Sequence, residues 1–503
     1  MTMKKKQVFI NLIVSTATEI VTLVLGLVLP RLILVSWGSE YNGLLSSVTN
    51  ILRYMALLEA GFRTSAIQAL YKTIGEEDLE KTSIVVRTSQ QYYHRISVLY
   101  LAIVCLVSVL YPMVIKTEIP YSEAFLIIVL QGMVGIINFA FRSSYEQLLS
   151  AEGKYYVISL IGLITTILTY TSKIISIRVF NNVIIMQFMG VIVVIIQVIV
   201  YAFYFNKRYA WINKNAIADN SLLQNRKYYI TQQIAGLIFN STDTFVLSIF
   251  CGLKVASVYA VYNLVYSALA QIMTLIRSST GFVLGQSYHK GALLFKKIYS
   301  AYSSMQATVG GIMASISIIL IMGFIRIYTN GITDINYLDF TAAFLFSFNL
   351  ILECSRGASL AAANIAGKAP DTTSHYIMEA AINLCSSLIL VRFLGMRGVL
   401  MGTALAGLYR TTDSIIYTNR KVLAQSPLLE ARMVITSFLL YFVFAYIGYS
   451  VININCTNYI ELLLNAIWVG IGVVIVYGTA YIIINFCWLK SFLHDFLIGI
   501  KCM

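Results

Sequence analysis

The chain has 503 residues, of which 58% are hydrophobic and only 12% are charged, and its formal net charge is +14. Soluble domains carry about 25% charged residues, so this composition excludes an ordinary aqueous globular protein. Apolar runs of about 20 residues recur, which is the length of a bilayer-crossing helix, and the alternating pattern of a membrane β-barrel is absent. The sequence therefore predicts an all-α polytopic membrane protein.

The N-terminal segment begins MTMKKK and continues as a long apolar run. A basic start before an apolar run also marks cleaved signal peptides, but this run is too long and no small-residue cleavage site follows it. We therefore expect a retained first span.

Apolar runs and the polar breaks between them predict about fourteen spans along the chain. The tail, residues 486–503, is predicted to form an amphipathic helix at the membrane surface. The predicted spans lie near residues 8–34, 43–70, 91–112, 121–148, 155–178, 183–205, 229–251, 257–284, 298–326, 339–364, 371–392, 398–419, 432–452 and 461–485.

The distribution of lysine and arginine predicts the orientation in the membrane. If the N-terminus is cytoplasmic, the even-numbered connections and the two tails hold twenty of these residues, whereas the opposite connections hold only Lys116, Lys254 and Arg397. We therefore expect both termini in the cytoplasm and an even number of spans. This placement favours membrane topology over nucleic-acid binding as the reason for the positive net charge.

The connections are short, which argues against several classes of membrane protein. Membrane glycosyltransferases and polysaccharide polymerases place catalytic groups on a large extracytoplasmic loop, and no such loop is predicted. The P-loop pattern GxxxxGK[ST] of ATP-driven transporters is absent. The seven cysteines are scattered without CxxC spacing, so they predict neither a disulfide framework nor a metal site. We expect a protein that is not an enzyme.

An internal repeat appears when the sequence is shifted along itself so that Arg63 falls on Arg277, because predicted spans 1–6 then fall on spans 7–12. We call this displacement the repeat shift. It predicts two pseudo-symmetric six-helix lobes, residues 1–212 and 213–428, and residues 429–503 add spans 13 and 14 and the tail. Other positions that coincide include Arg142 with Arg356, Arg178 with Arg392, Lys207 with Lys421, and Gly38 with Gly252.

This arrangement, two sets of six spans followed by two more, resembles the architecture of the multidrug/oligosaccharidyl-lipid/polysaccharide (MOP) exporter superfamily. The local motifs resemble its polysaccharide branch, the Wzx-type oligosaccharide flippases, over essentially the whole chain. These motifs are LPRLILVSWGSEYNGLLSSVTNIL (29–52), LLEAGFRTSAI (57–67), AEGKYY (151–156) and LGMRGVLMGTALA (394–406).

The resemblance implies a flippase of the bacterial cytoplasmic membrane. Its substrate would be an undecaprenyl-pyrophosphate-linked oligosaccharide used to make a surface polysaccharide, moved by alternating access. The implied partners are this lipid-linked oligosaccharide, membrane lipids, a polysaccharide polymerase and a chain-length regulator, with no nucleic acid. No cofactor is expected beyond a coupling H⁺ or Na⁺. Family members tend to have a cationic central cavity lined by spans 1, 2, 7 and 8.

Arginines within the predicted spans are the candidate substrate-binding residues, since charged groups in spans tend to face a wet cavity. Arginine stays protonated, and its fork of donors matches phosphate oxygens. Arg53 lies near mid-bilayer by residue count, where snorkelling to the surface is difficult. Two interpretations remain for it: a cavity role or a structural ion pair.

Glu59 and Arg63 have the spacing of a helical ion pair, with the acid N-terminal. Glu59 is therefore predicted as a local structural partner of Arg63. The repeat partner Arg277 has Met273 where Arg63 has Glu59, so this kind of pairing cannot account for both arginines.

Arg142 and Arg356 lie in the cytoplasmic thirds of predicted spans 4 and 10. They are candidates for the same cationic cavity. Anchoring at the membrane interface is the alternative for both.

Acidic residues in spans can titrate or bind Na⁺, or can pair with arginines. Glu19 and Asp243 lie beside hydroxyl and amide residues and are the candidates for ion coupling. Pairing with arginines is the favoured role for Glu353, Glu379 and Asp413.

Other functions of this architecture remain open from the sequence. A peptidoglycan lipid-precursor flippase of the same superfamily has a similar architecture and a cationic cavity. A cation-coupled multidrug exporter would need an acidic or apolar cavity, which fits the predicted arginines less well. A membrane polysaccharide polymerase is disfavoured by the short connections.

Overall fold

The computed structural model describes residues 2–55, 59, 62–76, 78–213, 216–219, 242–450 and 458–484, and the regular elements among them are all helical. The predicted all-α class is therefore confirmed. The helices are α1 (Thr2–Arg53), α2 (Phe62–Gly75), α3 (Leu79–Val114), α4 (Tyr121–Ile137), α5 (Ser143–Ala151), α6 (Tyr155–Phe180), α7 (Val183–Arg208), α8 (242–250), α9 (Leu253–Lys290), α10 (Ala292–Tyr328), α11 (Phe340–Ile365), α12 (Ala369–Leu394), α13 (Met396–Tyr417), α14 (Leu428–Ser450) and α15 (Tyr459–Ile484).

Ten helical segments among the described residues are long and apolar enough to cross a membrane. Together with the apolar composition, they make the chain a multi-pass membrane protein. The full set of fourteen spans remains a prediction, and the predicted tail helix lies outside the described residues.

Contacts divide the chain into two units. Unit 1 comprises Met1–Ala260 and Gly331–Ile335, and unit 2 comprises Val261–Asn330 and Asn336–Met503. The predicted lobes follow the sequence repeat rather than these packing units, so the lobe boundaries remain a prediction.

Helix α1 is broken at Gly38, where φ is 81° and ψ is −175°. Residues other than glycine rarely adopt this positive φ, so the break at this position depends on glycine. Before the break, Trp37 Nε1 donates to Asn181 Oδ1 at the end of α6, over 2.9 Å. After it, Asn50 Nδ2 donates to Thr244 Oγ1 of α8, over 3.0 Å. The predicted turn between spans 1 and 2 corresponds to this break.

The second predicted span, 43–70, is not one continuous helix. Helix α1 ends at Arg53, and α2 begins at Phe62. The carbonyl of Glu59 accepts from the backbone N–H of Phe62, over 3.1 Å, so Glu59 lies at the start of α2. The prediction of a single helix over this span is therefore wrong.

The repeat shift also superposes helix bounds. Shifting α6 (Tyr155–Phe180) gives residues 369–394, which are the bounds of α12. Shifting α3 (Leu79–Val114) gives 293–328, within one residue of α10. The repeat therefore extends from the sequence to the lengths of the helices.

Turns with positive φ occur at matching positions too. Three pairs that the repeat shift brings together all have positive φ: Gly38 with Gly252, Gly153 with Gly367, and Asn181 with Gly395. Because this conformation is costly for most side chains, its recurrence supports a shared backbone plan in the two halves.

Candidate functional site

Arg63 and Arg142 of unit 1 share a buried carboxylate. Glu146 of α5 is 5% exposed, and its Oε1 lies 2.6 Å from Arg142 Nε. Its Oε2 lies 3.8 Å from Arg63 Nη2. Tyr201 of α7 donates its hydroxyl to the same carboxylate over 3.2 Å. The structure thus brings together two of the predicted arginines and adds an acid between them.

A π-helical segment, Asn138–Arg142, joins α4 to α5 and ends at this arginine. Such segments insert an extra residue per turn and often occur at functional positions. Arg142 Nη1 donates to Asn138 Oδ1 and to Gln197 Oε1, each over 3.3 Å. Gln197 in turn donates to Thr165 Oγ1 over 3.0 Å, so the hydrogen bonds around the guanidinium extend to α6 and α7.

Glu59 lies in the same network. Arg63 Nη1 lies 3.4 Å from Glu59 Oε1, so the predicted pair is present. Tyr93 of α3 donates its hydroxyl to Glu59 Oε1 over 2.7 Å. Gln147 of α5 donates to the Tyr93 hydroxyl over 2.6 Å. Glu59 therefore connects the start of α2 to α3 and α5.

Arg53 differs from these arginines. It lies in the last turn of α1, and its side chain is exposed. Within the described part of the chain it makes no hydrogen bond and no ion pair.

Unit 2 contains a second buried charge network. Arg356 of α11 is 9% exposed and pairs with Glu379 of α12. Arg410 of α13 is 1% exposed, and its Nε lies 3.5 Å from the other oxygen of Glu379. Arg410 Nη1 also lies 3.0 Å from Asp413 Oδ2. The favoured pairing of Glu379 and Asp413 with arginines agrees with these contacts.

Two further side chains complete this network. His375 Nδ1 lies 2.8 Å from Asp413 Oδ1. The guanidinium of Arg410 lies 4.1 Å from the ring centre of Tyr376, in cation–π geometry. The two arginines are thus matched by two carboxylates, with an aromatic face as additional support.

The two networks correspond in the repeat. The repeat shift places Arg142 on Arg356, and it places Thr165, the hydrogen-bond partner of Gln197, on Glu379. Arg142 reaches the counterpart of Glu379 only through Gln197, whereas Arg356 pairs with Glu379 directly. The carboxylate comes from the next helix in unit 2, whereas in unit 1 it lies four residues from the arginine along the chain.

Arg277 of α9 lies against a glycine. A β-carbon added at Gly357 would lie 2.8 Å from Arg277 Nε and 2.5 Å from Gln306 Oε1. Arg277 Nη2 donates to the backbone carbonyl of Glu353 over 3.3 Å. Its Nε has no hydrogen-bond partner, and no carboxylate pairs with it, in the part of the chain that the structure describes. Among the described residues, the contacts of Arg277 are therefore with uncharged groups.

The candidates for ion coupling lie near the start of the chain and in α8. Asp243 is buried and accepts a hydrogen bond from Tyr259 over 3.0 Å. Glu19 lies in α1, but its side chain is outside the described residues. Among the described residues there is no group of three His, Cys, Asp or Glu that could hold a metal ion.

The residues that sequence reasoning missed include Glu146 and Arg410 of these networks, and Gln306, which lies beside Gly357 near Arg277. The signal for the first was its i, i+4 spacing from Arg142, and the signal for the second was its i, i+3 spacing from Asp413. Gln306 carries no sequence signal, because an isolated glutamine in a span has no distinctive spacing.

No protein-family model matches this chain, and no curated protein matches its sequence. Solved structures do match. The lipid II flippase MurJ, in an inward closed conformation, has a TM-score of 0.68 at 14% identity, covering 93% of this chain and 99% of that one. An inward-facing multidrug resistance MATE family transporter of the MOP superfamily has a TM-score of 0.62 at 14% identity, covering 81% and 98%. A MOP superfamily transporter from Pyrococcus furiosus has a TM-score of 0.58 at 14% identity, covering 82% and 96%.

These similarities extend over most of this chain and nearly all of each matched chain. At such low identity they concern the fold. The resemblance to the MOP superfamily drawn from the sequence is therefore confirmed at the level of the fold: the chain has the fold of the MOP-superfamily transporters.

Proposed function

We propose that this protein is a transporter that flips an undecaprenyl-pyrophosphate-linked oligosaccharide. The direction would be from the inner to the outer leaflet of the bacterial cytoplasmic membrane, by alternating access, for surface polysaccharide synthesis. The observation that carries the proposal is the contrast between paired and unpaired arginines in apolar helices.

Three of the five candidate arginines are neutralised by carboxylates, namely Arg63, Arg142 and Arg356. Arg53 and Arg277 have no carboxylate partner among the described residues. A charge within a span is costly and tends to face water or a ligand. A guanidinium offers paired donors to phosphate oxygens, so these two arginines suit a pyrophosphate-bearing lipid. The three paired arginines then have mainly structural roles.

The broken second span supports the same proposal. Discontinuous helices in transporters place free backbone groups at the substrate site. Arg53 lies in the last turn of α1, where the α-helix of that span ends. The carbonyl groups in the last turn of a helix lack partners within that helix, so the arginine lies next to backbone groups that can contact a substrate.

A flippase for a peptidoglycan lipid precursor is a second candidate. The similarity to the lipid II flippase MurJ over 93% of this chain favours it. A cation-coupled multidrug exporter is a third, favoured by the similarity to MATE transporters and by buried Asp243 as a proton or sodium site. In the first two cases a polysaccharide or peptidoglycan polymerase would act on the product.

The test uses the purified full chain in proteoliposomes with a fluorescent undecaprenyl-pyrophosphate oligosaccharide. The variants R53Q and R277Q each remove one unpaired charge, whereas R178Q and R392Q remove exposed arginines at the ends of α6 and α12. We expect the first two variants to slow flipping by about tenfold or more, since a charged hydrogen bond contributes roughly 1.5–3 kcal/mol, and the controls to match the unmodified protein.

Flipping at unmodified rates in both R53Q and R277Q would refute the cationic-site proposal. Lipid II in place of the oligosaccharide separates the first two candidates: the one moved faster is the better substrate class. Uptake of a cationic dye driven by a sodium or proton gradient, without lipid flipping, would favour the exporter.

A further inference from the structure

A basic cleft lies on unit 1, apart from the charge network of Glu146. It has a volume of about 490 Å³ and is lined by residues of α3 and of the region from the π-helical segment into α5. An adjoining cleft of about 500 Å³ shares Arg87, Gln90 and Tyr145 with it. The charged and amide side chains that line the first cleft are Arg87, Gln90, Gln91, His94 and Arg95.

The lining is cationic and rich in hydrogen-bond donors. It contains two arginines, a histidine and two glutamines, and no aspartate or glutamate from the described residues. Arg87 Nη1 donates to Gln90 Oε1 over 3.3 Å, which keeps its guanidinium in place. Arg95 and His94 are exposed. Such a lining attracts an anion with several acceptor oxygens.

The fold does not require these cations. The repeat shift places Ala301, Ser304, Met305, Thr308 and Val309 of α10 at the positions of Arg87, Gln90, Gln91, His94 and Arg95. The same helix position is therefore occupied by small or neutral residues in the other half. The cations of α3 need an explanation other than helix packing.

In unit 2 the matching region is covered by a helix that has no repeat counterpart. Helix α10 packs against α14, which lies outside the repeat. Glu430 of α14 is 4% exposed and accepts hydrogen bonds from Tyr299, over 2.6 Å, and from Ser359, over 2.9 Å. Ser359 is the repeat counterpart of Tyr145, which lines both clefts of unit 1. Unit 2 thus has a buried carboxylate beside the repeat counterpart of Tyr145, whereas no carboxylate from the described residues lines the cleft of unit 1.

An apolar stripe continues from the cleft along α3. Val98 and Leu101 are 58% and 48% exposed, and Gln91, His94 and Arg95 precede them on the same helix face at intervals of three or four residues. Phe141, at the edge of the cleft, is 55% exposed. A polar cationic cleft that leads into an exposed apolar stripe matches the headgroup and acyl chain of a lipid.

We propose that this cleft binds the phosphate headgroup of an anionic membrane phospholipid, with one acyl chain on the exposed face of α3. The guanidinium groups of Arg87 and Arg95 bind the phosphate oxygens, and Gln90 and Gln91 donate to the remaining headgroup oxygens. The site is independent of the transport proposal, because it uses none of the residues assigned to substrate.

The test counts phospholipid molecules bound to the delipidated full chain by native mass spectrometry, with phosphatidylglycerol as the probe. The variant R87Q/R95Q removes both cations of the cleft. The matched control R178Q/R392Q removes two exposed arginines elsewhere. We expect R87Q/R95Q to weaken binding of one phosphatidylglycerol by roughly tenfold or more, since each cation near an anionic lipid adds appreciable attraction, and the control to bind as the unmodified protein does.

A charge-retaining variant distinguishes the loss of positive charge from misfolding as the cause of weaker binding. R87K/R95K keeps both charges and should keep most of the binding, within about threefold, although lysine lacks the bidentate fork. Equal loss in the cleft variant and in the control would overturn the proposal, as would loss in R87K/R95K as complete as in R87Q/R95Q.

Two further binding measurements identify the class of ligand. Phosphatidylcholine, which has a phosphate but no net charge, should bind more weakly than phosphatidylglycerol, and equal binding would overturn the assignment to an anionic lipid. Inorganic pyrophosphate at millimolar concentration should not displace the phospholipid. Displacement would overturn the assignment to a lipid in favour of a site for free phosphates.

Discussion

The two halves of the repeat share a backbone plan but differ in the second predicted span. In the first half, α1 ends at Arg53 and α2 begins at Phe62, whereas α9 in the second half runs without a break from Leu253 to Lys290. Gly61 in the first half corresponds to Leu275 in the second. Helix lengths and positive-φ turns are therefore retained at matching positions, while the continuity of the helix in the second predicted span differs.

The halves also differ in how they neutralise an equivalent arginine. Arg142 is paired with Glu146, four residues along the chain, at the end of a π-helical segment. Arg356 lies in a regular helix and is paired with Glu379 of the next helix. The first arrangement is local and partly exposed, whereas the second is tertiary and deeply buried. We therefore expect unequal losses of folding stability when each network is broken.

The largest effect is expected from E379Q. It leaves Arg356 and Arg410 buried without their shared carboxylate, and breaking a buried ion pair costs about 3–5 kcal/mol. Thermal unfolding of the purified protein in detergent should show a large loss of stability. E118Q removes a carboxylate whose side chain is 85% exposed and serves as the control. An equal effect of both variants would contradict the buried network.

An intermediate loss of stability, similar in size for the two variants, is expected from G153A and G367A. Both glycines have positive φ, 73° and 70°, at the ends of corresponding helices. An L side chain in this conformation costs about 1–2 kcal/mol. Denaturation of each variant should give similar losses, and G162A, in the middle of α6 with open space around it, gives the reference for a helical glycine. Clearly unequal losses of stability would contradict the inference that the two halves share the same backbone conformation at these turns.

A smaller effect is expected from E59M, which gives the first half the residue found at Met273 in the second. Arg63 retains Glu146 as a partner, and its side chain is 39% exposed, so solvent screens the lost pair. We expect a loss of about 0.5–1 kcal/mol, discounted for this exposure. The double variant E59M/R63M measures the coupling between the two side chains. A loss as large as that of E379Q would show that solvent does not screen the Glu59–Arg63 pair.

The smallest effect is expected from D78A. Asp78 caps α3 by accepting from Lys81, whereas α10 begins after Gly291 without a side-chain cap. Hydrogen bonds from the Lys81 side chain and backbone hold the pKa of Asp78 below its usual value. The cap therefore stabilises α3 above the unfolded-state pKa, and this contribution is lost as the pH falls through the lowered pKa. Melting temperatures of D78A and the unmodified protein should differ slightly at neutral pH and converge in acid; a constant difference would contradict the cap.

Sequence reasoning predicted the helical class correctly because that class depends on local composition and spacing. It predicted the Glu59–Arg63 pair for the same reason, since the two residues lie one turn apart. It did not predict the break between Arg53 and Phe62, because the surrounding segment is apolar enough to read as one span.

The sequence by itself determined the apolar spans, the internal repeat and the positions of the arginines, because hydropathy and residue spacing are properties of the linear chain. Only the tertiary structure decided which arginines are neutralised. Glu379 lies 23 residues from Arg356, and Tyr93 lies 34 residues from Glu59, so neither partner follows from helical spacing. Partner choice depends on which helix faces pack together, and burial then makes the Arg356–Glu379 pair costly to lose.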